Sequence, residues 1–110
     1  MRIKENKTMQ EIVEFKTVEQ LIKALPKMEL DTTYFIDEYQ TYIGLDGMEH
    51  TTELIVEWTI DRYYGKEVIG IKEPIDGWGG SSDYIMVRST DTREKLINTL
   101  IEKVKHIAHV

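Results

Sequence analysis

The sequence predicts an α+β fold: an antiparallel sheet of four to five strands, in the order β-α-β-β-β-β-α, with a long amphipathic helix at the C-terminus packed on one face. Runs rich in Thr, Tyr, Ile, Val and Trp recur from Thr32 to Arg88 with strand-like alternation. An Asp46-Gly47 pair separates two of these runs, as a hairpin requires. From Leu96 to Ala108 the apolar residues return at helical spacing.

Residues 1–8 are polar and unpatterned and are expected to form a mobile N-terminal arm, ahead of one domain over residues 9–110. Met9, Glu11, Val13 and Phe15 alternate with Gln10, Ile12, Glu14 and Lys16, which suggests a short strand. Thr17 with Gln20 has capping-box spacing, and Val18, Leu21, Ile22 and Leu25 then form one helical stripe. Pro26 ends that helix, because its ring clashes with the preceding turn.

Thr32 to Leu45 reads as a strand with Tyr34, Ile36, Glu38, Gln40 and Tyr42 on one face and Phe35, Asp37, Tyr39, Thr41 and Ile43 on the other. Across the hairpin, Glu53 to Asp61 fails as a helix because its apolar residues scatter around the axis. At period two, Leu54, Val56, Trp58 and Ile60 share one face, opposite Glu53, Ile55, Glu57, Thr59 and Asp61. Tyr63-Tyr64-Gly65-Lys66 turns the chain into a strand over Val68–Lys72, Asp76 to Ser82 reads as loop, and Tyr84–Arg88 as strand. Asp91 with Glu94 resembles a capping-box start for the last helix, whose apolar face is Leu96, Ile97, Leu100, Ile101, Val104, Ile107 and Ala108.

A chain of 110 residues can bury one core, and 41% hydrophobic residues place it outside the composition of disordered chains. The absence of cysteine removes disulfides and thiolate chemistry and fits a cytoplasmic location. The first residues lack an apolar stretch of signal-peptide length, and no run approaches the roughly 20 apolar residues of a membrane span.

Charge is the most distinctive property. From Met28 to Asp61 there are nine carboxylates and no Lys or Arg, while the remaining 11 acids face 14 bases, so the net charge of −6 divides into −9 and +3. Strand geometry sets Glu53, Glu57 and Asp61 on one face at ~13 Å intervals, and strict alternation turns Asp37 and Glu38 to opposite faces. A carboxylate row on a rigid sheet can meet a basic groove, although the same row also serves simply to keep a sheet soluble. Tyrosines fall in or beside the strands and would make such a face adhesive.

Trp78, between Gly77 and Gly79–Gly80, is either an interface anchor or a cap on the core. Gly77, Gly79, Gly80, Ser81 and Ser82 resemble a phosphate cradle only loosely, lacking the third glycine of a dinucleotide fingerprint. The two serines lie in no nucleophile elbow. His106 and His109 share a spacing that could hold a metal, but His50, in an expected turn, is distant in sequence; cationic side chains closing a helix explain the pair. No EF-hand loop is present, no metal or cofactor is expected, and no spacing pairs Asp37 or Glu38 with an acid–base partner.

The resulting expectation is a non-enzymatic acidic binding protein, an inhibitor or immunity protein that engages the basic surface of a nucleic-acid enzyme through Asp37, Glu38, Tyr39, Glu53, Glu57, Asp61 and Trp78. The alternative is a small-molecule or nucleotide binder using the Gly77–Ser82 loop with Trp78 at a homodimer interface. Direct nucleic-acid binding is not expected, because the bases of the last helix are interleaved with acids.

Overall fold

Five strands and two helices follow one another as β1 (Glu11–Phe15), α1 (Val18–Ala24), β2 (Thr32–Ile43), β3 (Glu49–Ile60), β4 (Glu67–Glu73), β5 (Ser81–Met86) and α2 (Arg93–Ala108). They are seen in a computed structural model that describes residues 11–73 and 81–109. The expected N-terminal arm and the loop residues Gly77, Trp78, Gly79 and Gly80 lie outside the described residues.

The strands form one sheet in the spatial order β1-β2-β3-β4-β5. β2 to β5 make an antiparallel meander, as predicted, but β1 runs parallel to β2, with Val13 beside Tyr34 and Phe15 beside Ile36. The sheet is therefore mixed. The cause is α1: a helix between two neighbouring strands returns the chain to the starting end, so the second strand repeats the direction of the first.

Thr17 caps α1 by accepting the backbone N–H of Gln20 at 3.1 Å, and the Gln20 side chain accepts from the Lys16 backbone at 2.9 Å. Beyond Ala24 the chain tightens into a 3₁₀ turn, Leu25–Lys27, which holds Pro26. At α2 the sequence-based cap is corrected. Thr92 is the N-cap, accepting from the Lys95 backbone at 3.1 Å, whereas Asp91 accepts from the Arg88 backbone at 3.0 Å and shapes the approach. A further correction concerns Ser81 and Ser82, which pair with Glu73 and Lys72 as the first residues of β5 rather than ending a loop.

One face of the sheet builds the core. Tyr34, Ile36, Leu54, Val56, Trp58, Ile69, Ile71 and Ile85 meet Leu21 and Leu25 from the α1 region and Leu96, Ile97, Leu100, Val104 and Ile107 from α2. Period-two alternation selects the strand residues and period-3.6 spacing the helical ones, so each element contributes a single apolar side. Trp58 donates its indole N–H to Glu67 Oε1 at 3.0 Å, and the Arg93 guanidinium lies 5.9 Å from its ring centroid. The same guanidinium donates to the backbone carbonyls of Pro26 and Met28, tying α2 to the 3₁₀ turn.

The opposite sheet face carries no helix among the described residues, leaving Ile12, Tyr84 and Met86 exposed. Gly70 lies under Tyr84 there: a Cβ at Gly70 would sit 3.2 Å from the ring's Cε1, so the aromatic ring fills the space that the glycine leaves.

Leu54 and Leu100 are fully buried on opposite sides of the core. Leu54→Ala and Leu100→Ala are each expected to lower unfolding free energy by about 2–5 kcal/mol in urea titrations, since each leaves a cavity among rigid neighbours.

Candidate functional site: a projecting acidic hairpin

β2 and β3 are much longer than their neighbours. β1 pairs with β2 only over Thr32–Ile36, and β4 pairs with β3 only over Ile55–Ile60. The remainder, Gln40–Ile43 against Glu49–Thr52, is a two-stranded arm with both outer edges unpaired among the described residues. The molecule is correspondingly elongated, 46 × 30 × 29 Å.

A register shift marks the root of the arm. Ile36 pairs with Leu54 and Gln40 with Thr52, so three residues of β2, Asp37, Glu38 and Tyr39, stand opposite Glu53 alone. Extra residues in one strand bend it and break its alternation. The strict alternation that set Asp37 and Glu38 on opposite faces therefore does not run through this point. Both are exposed, and Tyr39, assigned from sequence to the face opposite Ile36, instead packs against the margin of the core.

The turn at the far end is chemically defined. Gly47 N–H donates to the Gly44 carbonyl and Gly44 N–H to the Met48 carbonyl, both at 2.9 Å. Gly47 alone takes a positive φ, 77°, so the tip is a three-residue loop with a left-handed glycine at its end. Asp46 contributes its side chain instead: Oδ1 accepts the Met48 backbone N–H at 2.9 Å, and the carboxylate meets His50 Nε2 at 3.0 Å. His50, expected in a turn, lies in β3 and stacks on Tyr42 with ring centroids 5.5 Å apart. A Cβ on Gly44 would come within 2.8 Å of the His50 ring, so this close packing requires glycine.

Between Asp37 and Glu53 the arm carries five carboxylates, Asp37, Glu38, Asp46, Glu49 and Glu53, and no Lys or Arg. Only Asp46 has an ion-pair partner among the described residues. The tip is apolar: Leu45 is 93% exposed, with Ile43 and Met48 also in solvent. Sequence reasoning passed over this group and over Glu49, which extends the Glu53, Glu57, Asp61 row by four residues. The available signal was three large apolar side chains around a turn, where polar residues are usual.

The body half of that row is employed differently. Glu57 lies 3.9 Å from Lys72 on β4, and Asp61 Oδ1 accepts the backbone N–H groups of Tyr63 and Tyr64 at 2.7 and 3.2 Å. Both line a shallow concavity of about 650 Å³ with Asp31, Arg62, Lys72 and Tyr84. Its three acids are partly offset by two bases. The described residues thus separate the predicted row into a body half with internal partners and an arm half facing solvent. Asp37, Glu38 and Glu53 come together at the arm's root, whereas Trp78, Gly77, Gly79 and Gly80 are outside the described residues. Side chains of the described residues form no group of three or more metal-ligand types that could hold an ion, and no described helix is long and apolar enough to cross a membrane.

Comparison with family models, with curated proteins and with solved structures finds no match to this chain.

Two titrations report on the arm. Backbone donation from Met48, and then the His50 hydrogen bond, hold Asp46 below its ordinary carboxylate value of 3.8. A depressed carboxylate pKa favours the fold above the unfolded value and loses that contribution as pH falls through the folded one. The tip is therefore expected to stay ordered above pH 3.8 and to loosen below it, read from the Gly47 and Met48 amide resonances. At the root, burial first and the Glu73 carboxylate second push the Tyr39 phenol up to about 12. Among the described residues its oxygen has no hydrogen-bond partner of ordinary geometry, and the buried Glu73 carboxylate is the charged group that acts on it. A raised pKa makes the neutral phenol the form that the fold favours. Stability is expected to be intact below pH 10 and to decline from there to about pH 12, in step with tyrosinate absorbance and absent in Tyr39→Phe.

Proposed function

We propose that the chain is a non-enzymatic binding protein whose projecting hairpin engages the basic surface of a protein partner. The observation that carries this reading is the composition of the arm: five carboxylates, no Lys or Arg, and an exposed apolar tip of Ile43, Leu45 and Met48. Long-range attraction would steer such an arm toward a positive cleft, and the apolar tip would supply the dehydrated contact that holds it.

A cleft rich in Lys and Arg that is narrow enough to receive a two-stranded ribbon is the architecture of nucleic-acid enzymes, whose grooves bind phosphates. An inhibitor or immunity protein directed at such an enzyme is the role we infer. Asp37, Glu38, Glu49 and Glu53 would meet the partner's bases, and Leu45 would lie deepest. Tyr39 would fix the arm's root from within the core's margin. A cytoplasmic location belongs to the same reading, which the lack of cysteine suits.

The test is affinity capture from the native host with wild-type chain and with a Glu38→Lys, Glu49→Lys, Glu53→Lys variant. A basic nucleic-acid enzyme is expected in the wild-type eluate, absent from the variant's, and inhibited by wild type alone. Affinity for that partner should fall about tenfold or more between 0.05 and 0.5 M salt, roughly the range over which screening shortens from over 10 Å to a few ångströms. Equal capture by both chains, or affinity unchanged up to ~1 M salt, would remove the arm from the interaction.

A further inference from the structure

Among the described residues β5 pairs with β4 alone, so the other edge of Ser81–Met86 presents unpaired backbone donors and acceptors. A groove of about 350 Å³ runs between this edge and α2. Tyr84 and Met86, both exposed, give it an apolar lip, while Arg88, Lys95 and Lys103 give it positive charge against a single described acid, Asp91. Asp91 is already bonded to the Arg88 backbone, and none of the three bases forms an ion pair among the described residues.

Among the described residues the chain thus carries both an unpaired strand edge beside a basic groove, the strand's own charged residue being Asp83, and an acidic ribbon with unpaired edges. We propose that the β5–α2 groove receives the hairpin arm of a second copy of this chain, which adds to β5 as a further strand. Lys95 and Lys103 are eight residues apart on one helix, ~12 Å along its axis. Glu49 and Glu53 are four apart on one strand face, ~13 Å. An added strand can turn either face toward the helix, so the two charge rows can lie in register. The apolar tip then reaches the Tyr84 and Met86 lip. Reciprocal exchange of two arms about a two-fold axis makes the same contact twice and closes the assembly as a dimer.

This inference rests on the arm as the interacting element of the proposed function, but it gives the groove a role that reading does not use. It also makes self-association a competitor for the arm, since an arm seated in a second copy is withheld from a foreign partner.

Sedimentation of the full chain, at low and at ~0.5 M salt, tests it with two charge swaps, Glu49→Lys with Glu53→Lys and Lys95→Glu with Lys103→Glu. A wild-type dimer is expected, weakened about tenfold or more by salt and by either swap alone. An equimolar mixture of the two variants should dimerise again, because each reversed arm then meets a reversed groove. Circular dichroism establishes that each variant is folded; where one is not, the corresponding Gln substitutions replace it and are compared with wild type alone, since only charge-reversed variants can restore one another on mixing. A wild-type chain that is monomeric at ~100 μM and low salt, a dimer indifferent to both swaps, as β5-to-β5 pairing would give, or a mixture of folded variants that stays monomeric overturns the proposal. The Lys95→Glu, Lys103→Glu variant keeps the arm intact, so capture of a foreign basic partner by this variant separates failure of the dimer from failure of the proposed function.

Discussion

The β2–β3 ladder is the frame to which every other element attaches, and its length is the constraint from which the rest follows. Its near half has strands on both sides and helices beneath it. Leu54, Val56 and Trp58 are buried there by α1, α2 and the 3₁₀ turn. Among the described residues its far half has no such strands beside it. A two-stranded ribbon in water is marginal by itself, so the arm must be held by its own turn and by its root. That accounts for the local chemistry found only at those two places: the Asp46, His50 and Tyr42 group with Gly44 at the tip, and the register shift with Tyr39 packed inward at the base.

Electrostatics follows the same division. In the body, Glu57 is set beside Lys72 and Asp61 is consumed in capping a turn. On the arm, Asp37 and Glu38 stand across the ladder from Glu53 and form no ion pair among the described residues, although Lys16 shares a hollow with the first two and like charges facing one another across strands oppose folding. A sequence that balances charge where it folds and leaves it unbalanced where it projects is locally at odds with stability. Such conflicts are what interaction surfaces produce.

Most elements were legible in the sequence because they depend on short-range pattern. The alternation of Leu54, Val56 and Trp58, the α2 stripe and the Gly47 turn each need only a few neighbouring residues, and each is found where the pattern puts it. The spacing of Asp91 with Glu94 points one residue away from the actual cap, Thr92, because only the geometry of the approach decides which oxygen faces the free N–H groups. The parallel β1 and the register shift were not legible, since both are set by the partner strand rather than by the strand itself. For the candidate site the acids were visible and their grouping was not: which carboxylates face solvent depends on where β1 and β4 stop pairing, a property of other segments. Leu45 and Met48 were visible as well, and were out of keeping with a buried or a polar assignment.

The lack of Lys and Arg from Met28 to Asp61 has a consequence for how the chain can be cut. Exposed hairpins are ordinarily the first sites nicked by a protease, yet one that requires Lys or Arg finds no bond to cleave anywhere along this arm. An enzyme specific for glutamate meets Glu38, Glu49 and Glu53 on the same segment. This projecting arm is thus closed to one common class of protease and open to another, and the pattern of native cleavage reports directly on its accessibility.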